Sequence, residues 1–282
     1  MNVATLNQNN SASVVLPPLM DKVVAWYDAS SIVMEDADTF DAWHDKARVT
    51  PAKTMNLVNS DEDNDPDYAV QPSSVSTNAF YGHRVMSFDQ SAGTEKFFDS
   101  AVDFSTITKP LDGVTLIENP EYTVALCLCE HSGLAAGQEQ FFLMEGADSV
   151  QLVIKRFNTS CTWVLANYTG SATNTGNDSG GSTSAFNYHT IGTETLITSV
   201  RDTGSAHGVE AWKNGTQLSF TGSGTTMFTV ASGKQDLDDL SLGKNWHGGM
   251  SEVIIWKGRF SNANAVEAHK YLADKWGHTV AN

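Results

Sequence analysis

Three things are scarce in this chain of 282 residues: cysteine, basic side chains and long apolar runs. Three cysteines make no disulfide framework, and an odd number leaves a thiol over, so the fold must rest on its core and a reducing site of synthesis is expected. Seventeen Lys and Arg against 33 Asp and Glu leave a formal charge of −16 with no basic run, which argues against nucleic acid or an anionic membrane as partner. No apolar run approaches the roughly 18 residues that mark a membrane-spanning helix. The opening MNVATLNQNNSASVVLPPLMDK places no charged segment ahead of its short apolar stretch, so neither export nor membrane insertion is expected. The triplets at Asn158, Asn167, Asn177 and Asn214 then read as ordinary loop chemistry.

What the chain does have is turn chemistry. Hydrophobic residues make up 40%, charged residues 18%, and there are 22 glycines, a balance that fits a folded, turn-rich β protein. Residues 1–20 are polar and end in Pro17-Pro18, which reads as an extended arm, with the folded body starting at Asp21. From Asp21 to Asp67, 12 acidic residues face four basic ones, and the densest stretch, SDEDNDPDY, reads as an acidic loop insertion near 56–75.

Beyond it, short strands alternate with turns, as in an all-β sandwich. Tyr122 to Glu130 sets Tyr122, Val124, Leu126 and Leu128 on a core face, and leaves Thr123, Ala125, Cys127 and Cys129 for a more open one. Val150 to Phe157, Cys161 to Tyr168, Glu194 to Arg201 and Met250 to Trp256 are comparable, and Thr169 to Ser184 reads as a flexible loop. Asn214-Gly215 between strand-like flanks predicts a type I′ hairpin. One helix is expected: Ser261 as N-cap, Ala265, Ala268, Leu272 and Trp276 on one face, and Gly277 as the terminating residue.

The stretch from Leu240 to Gly277, LSLGKNWHGGMSEVIIWKGRFSNANAVEAHKYLADKWG, resembles the closing pattern of the laminin-G-like branch of the concanavalin A-like lectin/glucanase superfamily. DKVVAWYDAS from Asp21 resembles its opening strand with the aromatic-Asp-Ala pair, GHRVMSFDQ from Gly82 its second strand, and VEAWKNGTQL from Val209 its Asn-Gly hairpin. The resemblance implies a single jelly-roll domain over 21–282, two twisted antiparallel sheets with one C-terminal helix. It also implies a class of protein found in phage and virus particles.

Chemistry is sparse. Glycosidases of this fold carry Glu-x-Asp-x-(x)-Glu on one strand, a form that neither Glu35, Asp36 and Asp38 nor Asp236, Asp238 and Asp239 take, so no catalytic residues are assigned. Asp61, Asp63 and Asp65 alternate as in an EF-hand, but Pro66 and Pro72 stand where its glycine and its last glutamate belong; a laxer calcium site is the one cofactor worth weighing. Cys127, Cys129 and His131 share a strand face, yet alternate strand residues point in parallel about 6.5–7 Å apart, which suits neither zinc nor a disulfide.

For carbohydrate, an exposed aromatic flanked by polar groups is required. Trp246, with Asn245 and His247, is the candidate; the competing reading is a lid over the sandwich edge. Trp26, Trp43, Trp212, Trp256 and Trp276 fall in strand or helix patterns and read as core or sheet-surface residues. The expected function is a non-enzymatic component of the virion exterior, such as a decoration, fibre or tail subunit. Its partners are other virion proteins or copies of itself, with a host glycan as a further partner. The alternatives are a lectin module and a glycan-active enzyme with an unrecognised site.

Overall fold

The structure, a computed structural model, describes residues 15–31, 42–47, 57–58, 67–70, 84–88, 98–100, 121–130, 139–145, 151–157, 160–166, 184–187, 193–202, 207–218, 227–229, 240–243 and 246–277. In chain order the strands are β1 (Val23–Asp28), β2 (Ala42–Trp43), β3 (Leu57–Val58), β4 (Asp67–Val70), β5 (Arg84–Phe88) and β6 (Phe98–Ser100). The middle of the chain supplies β7 (Tyr122–Glu130), β8 (Glu139–Glu145), β9 (Gln151–Phe157), β10 (Ser160–Ala166) and β11 (Ser184–Asn187). Then come β12 (Thr193–Asp202), β13 (His207–Lys213), β14 (Thr216–Gln217), β15 (Met227–Thr229), β16 (Leu240–Leu242) and β17 (Gly248–Lys257). The chain closes on the helix α1 (Asn262–Trp276).

These strands form two antiparallel sheets. One runs β14-β13-β12-β7-β17-β5-β4, with β1 on the edge of β17 and β15 on β13; the other runs β11-β10-β9-β8-β16-β6-β3-β2. The all-β sandwich with one C-terminal helix is therefore the observed architecture. Aromatic rings bridge the layers: Tyr27 of β1 meets Trp43 of β2 at 5.8 Å between centroids, and Phe88 of β5 meets Phe98 of β6 edge-on at 6.1 Å. Such contacts exclude water from the space between the sheets.

Local chemistry sets the ends of the elements as expected. Asn214 (φ 48°) and Gly215 (φ 85°) both take positive φ, as a two-residue type I′ turn requires, and β13 and β14 flank them. Ser261 Oγ accepts the Asn264 N–H at 3.3 Å, and Gly277 (φ 74°) ends the helix with its N–H on the Ala273 carbonyl.

Three sequence readings need correction. The Thr123, Ala125, Cys127 and Cys129 face of β7 is not open but buried, because α1 covers it; the larger sheet is buried on both faces at its centre. The arm does not reach residue 20. Pro17 is buried, Leu19 and Met20 pack on the core, and Trp256 Nε1 donates to the Pro18 carbonyl at 2.9 Å, since a core-facing indole N–H needs an acceptor that water cannot supply there. The segment near 56–75 is not wholly an inserted loop, since β3 pairs with β2 and β6 in the smaller sheet while β4 pairs with β5 in the larger. The arm before residue 15, the loop of 169–183, Asp61, Asp63, Asp65 and His131 lie outside the described residues.

Candidate functional site

The main concentration of charge among the described buried residues lies where α1 crosses the larger sheet. In the β17–β7 ladder, Met250 faces Leu128 but Glu252 faces Cys127, so Ser251 is an extra residue. This bulge shifts the strand by one phase. Without it, Glu252 would oppose Leu126 on the face toward the other sheet; with it, the carboxylate turns to the helix side. There β1 places Asp28 directly across from Glu252, with Trp26 two residues before it on the same face.

Glu252 has no solvent exposure (0%) and four donors meet its two oxygens. Trp26 Nε1 and the Tyr271 hydroxyl donate to Oε1 at 2.6 and 2.7 Å, while Trp276 Nε1 and Lys275 Nζ donate to Oε2 at 2.7 and 2.8 Å. Lys275 also reaches Oδ2 of Asp28 at 2.9 Å, and Lys46 reaches the same oxygen at 2.7 Å. Oδ1 of Asp28 takes the Ser30 N–H and O–H at 2.9 and 2.6 Å. Asp45 fastens the neighbouring loop by accepting the N–H groups of Trp26 and Ala47. Lys46 Nζ lies 4.3 Å from the centre of the Trp26 ring, a cation–π contact, and Lys275 lies 5.4–5.6 Å from the Trp26, Tyr271 and Trp276 rings.

Each carboxyl responds to its surroundings differently. Burial pushes Glu252 above its ordinary pKa, a rise that Lys275 opposes and Asp28 reinforces. Burial acts in the same direction on Asp28, but the charge of Lys275 and the hydrogen bonds from Lys46 and Ser30 outweigh it and hold Asp28 below its usual value. Tyr271 is pushed up, first by burial and then by the Glu252 charge, so its phenol stays protonated and serves as a donor.

Cys127 lies beside this cluster, with Thr195 Oγ1 3.8 Å from its sulfur, and burial pushes its thiol up to about 12. Both Cys127 and Cys129 are buried, and a thiol held protonated, as that of Cys127 is, makes a poor metal ligand. Among the described residues, no group of three or more His, Cys, Asp or Glu side chains converges as a metal site.

The three residues singled out for carbohydrate are not brought together on the surface. Trp246 is 1% exposed: its ring packs on Phe88 at 5.5 Å between centroids, inside the sandwich. A turn closed by the Trp246 N–H on the Gly243 carbonyl swings the indole inward, and Gly248 leaves the room, since a Cβ there would stand 2.4 Å from the ring. The expectation of an exposed stacking aromatic is thus corrected. The neighbouring Gly248-Gly249 pair was the available signal, since an indole turned inward needs room beside it. His247 is half-buried, and Asn245 lies outside the described residues.

The residues that carried the family resemblance meet instead at the Glu252 cluster: the aromatic and aspartate of the opening strand, the glutamate of the closing strand, and the Tyr, Lys and Trp of the helix. The class that the fold defines is a two-sheet antiparallel β-sandwich closed by a C-terminal helix. Among solved structures, Trypanosoma rangeli sialidase is similar at 11% identity and a TM-score of 0.51, over 90% of this chain and 33% of that one, so the chain spans about a third of its length. Domain 4 of AbnA, a GH43 extracellular arabinanase from Geobacillus stearothermophilus, solved with arabinotriose, matches at 12% identity and TM-score 0.51 over 88% of this chain and 98% of that domain. The binding domain of botulinum neurotoxin DC, in complex with SialylT, reaches TM-score 0.55 at 6% identity, over 90% of this chain and 52% of that one. At such identities the likeness is one of fold. No protein-family profile and no curated protein matches the sequence.

Proposed function

We propose that the protein acts by binding and not by turnover, as a non-enzymatic exterior component of a phage or virus particle. The observation that carries this reading is the closure of the Glu252 cluster. The Glu252 carboxylate is buried and its two oxygens are taken up by Trp26, Tyr271, Trp276 and Lys275 from within the fold, so its hydrogen-bonding capacity is spent on structure and not held open for a substrate. A formal charge of −16 supports an exterior position, where an acidic surface stays clear of packaged nucleic acid. Peptide mapping of purified particles tests it: the chain is expected among the particle proteins at stoichiometric abundance, and its absence there overturns the reading.

A second reading, glycan binding, is favoured by one specific observation. The arabinanase domain is matched over 98% of its length, and that domain was solved with arabinotriose. Because Trp246 is core, a sugar-stacking side chain would come from another position. A glycan array tests this second reading, with reproducible, competable binding expected and its absence overturning it, and a reducing-sugar assay tests for turnover.

A further inference from the structure

We propose that the protein locks itself covalently: Lys275 Nζ condenses with the Asp28 carboxyl, with Glu252 relaying protons, to form an amide bond between β1 and α1. Nucleophile, electrophile and proton carrier meet around one nitrogen, which lies 2.9 Å from Oδ2 of Asp28 and 2.8 Å from Oε2 of Glu252. The side chains are enclosed, with exposures of 15% for Lys275, 3% for Asp28 and 0% for Glu252. Three aromatic rings line the Lys275 nitrogen. Groups held this way react as though at very high concentration, and effective molarities of order 10⁵ M or more are known for well-oriented pairs.

The two oxygens of Asp28 are prepared for different fates. Oδ1 accepts the Ser30 N–H and O–H at 2.9 and 2.6 Å, an arrangement that stabilises the negative charge developing there as nitrogen attacks Cγ. Oδ2 is touched by both ammonium groups, Lys275 and Lys46, which suits the oxygen that departs. An ion pair alone requires neither the paired donors on Oδ1 nor a second carboxylate on the far side of the amine.

The step balances. The ammonium carries three hydrogens. One passes to Glu252, which hands it on to Oδ2, so that the freed lone pair attacks Cγ of a neutral carboxylic acid; a second follows by the same route to the same oxygen as the tetrahedral adduct collapses. The Nζ–Cγ bond forms, the Cγ–Oδ2 bond breaks, and water leaves, with the third hydrogen kept on the amide nitrogen. One positive and one negative charge disappear together, and Glu252 keeps Trp26, Tyr271, Trp276 and the new N–H as donors. Exclusion of water from the site protects the bond from hydrolysis. The inference stands independently of the binding reading.

Intact-mass spectrometry of the denatured full chain, with peptide mapping, tests it. The folded protein is expected to be lighter than its sequence by one water, with a branched peptide joining Asp28 to Lys275. Lys275→Arg and Glu252→Gln are expected at full mass, with the two peptides separate. A wild-type chain that stays at full mass after days in the folded state overturns the proposal without reliance on any variant. A loss of water that persists in Lys275→Arg, or maps elsewhere, overturns it as well.

Discussion

Asp28 and Glu252 are direct cross-strand partners, two carboxylates side by side and both buried, and Lys275 stands between them at 2.9 and 2.8 Å. Like charges opposed across a ladder repel, and buried ones do so with little screening. The helix supplies the ammonium that makes the pairing tolerable, so β1 and β17 can hold this register only while α1 is docked. The cluster therefore couples the opening strand, the closing strand and the helix.

Trp26→Phe keeps the ring and removes one donor to Oε1 of Glu252. A hydrogen bond to a charged group contributes about 1.5–3 kcal/mol. Chemical denaturation should show a loss of stability of that order, and thermal denaturation a lowered Tm, with an unchanged circular dichroism spectrum; unaltered stability would mean the 2.6 Å contact contributes nothing.

Trp246→Ala and Trp276→Ala should be destabilised alike, each by about 3–5 kcal/mol, because both indoles are buried and each truncation leaves a cavity. Chemical denaturation of the two variants tests this. A fully stable Trp246→Ala would return that residue to the surface and restore it as a sugar-stacking candidate.

Truncation should have a sharp boundary. Removing residues 1–14 spares every described contact, whereas removing 1–20 takes away the Pro18 carbonyl and leaves Trp256 Nε1 without the acceptor it has at 2.9 Å. Stranding a buried donor costs about 1–3 kcal/mol, to which the lost packing of Leu19 and Met20 adds. Equal unfolding midpoints for the two truncated chains would refute the docking of Pro17 to Met20.

Stability should fall in alkali. The Cys127 thiol is held at about 12 against 9.0 in the unfolded chain, so the folded state keeps a proton that the unfolded state releases. That contribution is complete below pH 9 and is lost as pH rises from 9 toward 12. Tyr271, raised as well, acts in the same direction. Urea midpoints measured across this range should decline, less steeply in Cys127→Ala, and thiol reagents should label the buried cysteines only on unfolding.

Local features were readable from the sequence because their causes are local. The Asn214-Gly215 turn, the Ser261 and Gly277 caps and the helix face of Ala265, Ala268, Leu272 and Trp276 each depend on dihedral preference or periodicity within a few residues. Strand positions in β7, β9, β12 and β17 followed from alternation and flanking turns, while β8 went unread although EQFFLME carries the apolar content of a strand.

The site depended on what alternation does not reveal. A stretch such as YTVALCLCE shows that one face is larger, but only the docking of α1 buries the smaller one. An aromatic among polar neighbours reads as exposed, yet the turn from Gly243 and the gap above Gly248 put Trp246 inside. One extra residue at Ser251 sends Glu252 to the helix side, where Trp26, 226 positions away in sequence, meets it. Fold class, hairpin, helix and caps are legible in the chain alone, since short-range sterics and hydrophobic period govern them. Which side chains share the buried cluster emerges only on folding, because it depends on strand register and layer packing between distant segments, where a shift of one residue reverses the face a side chain occupies.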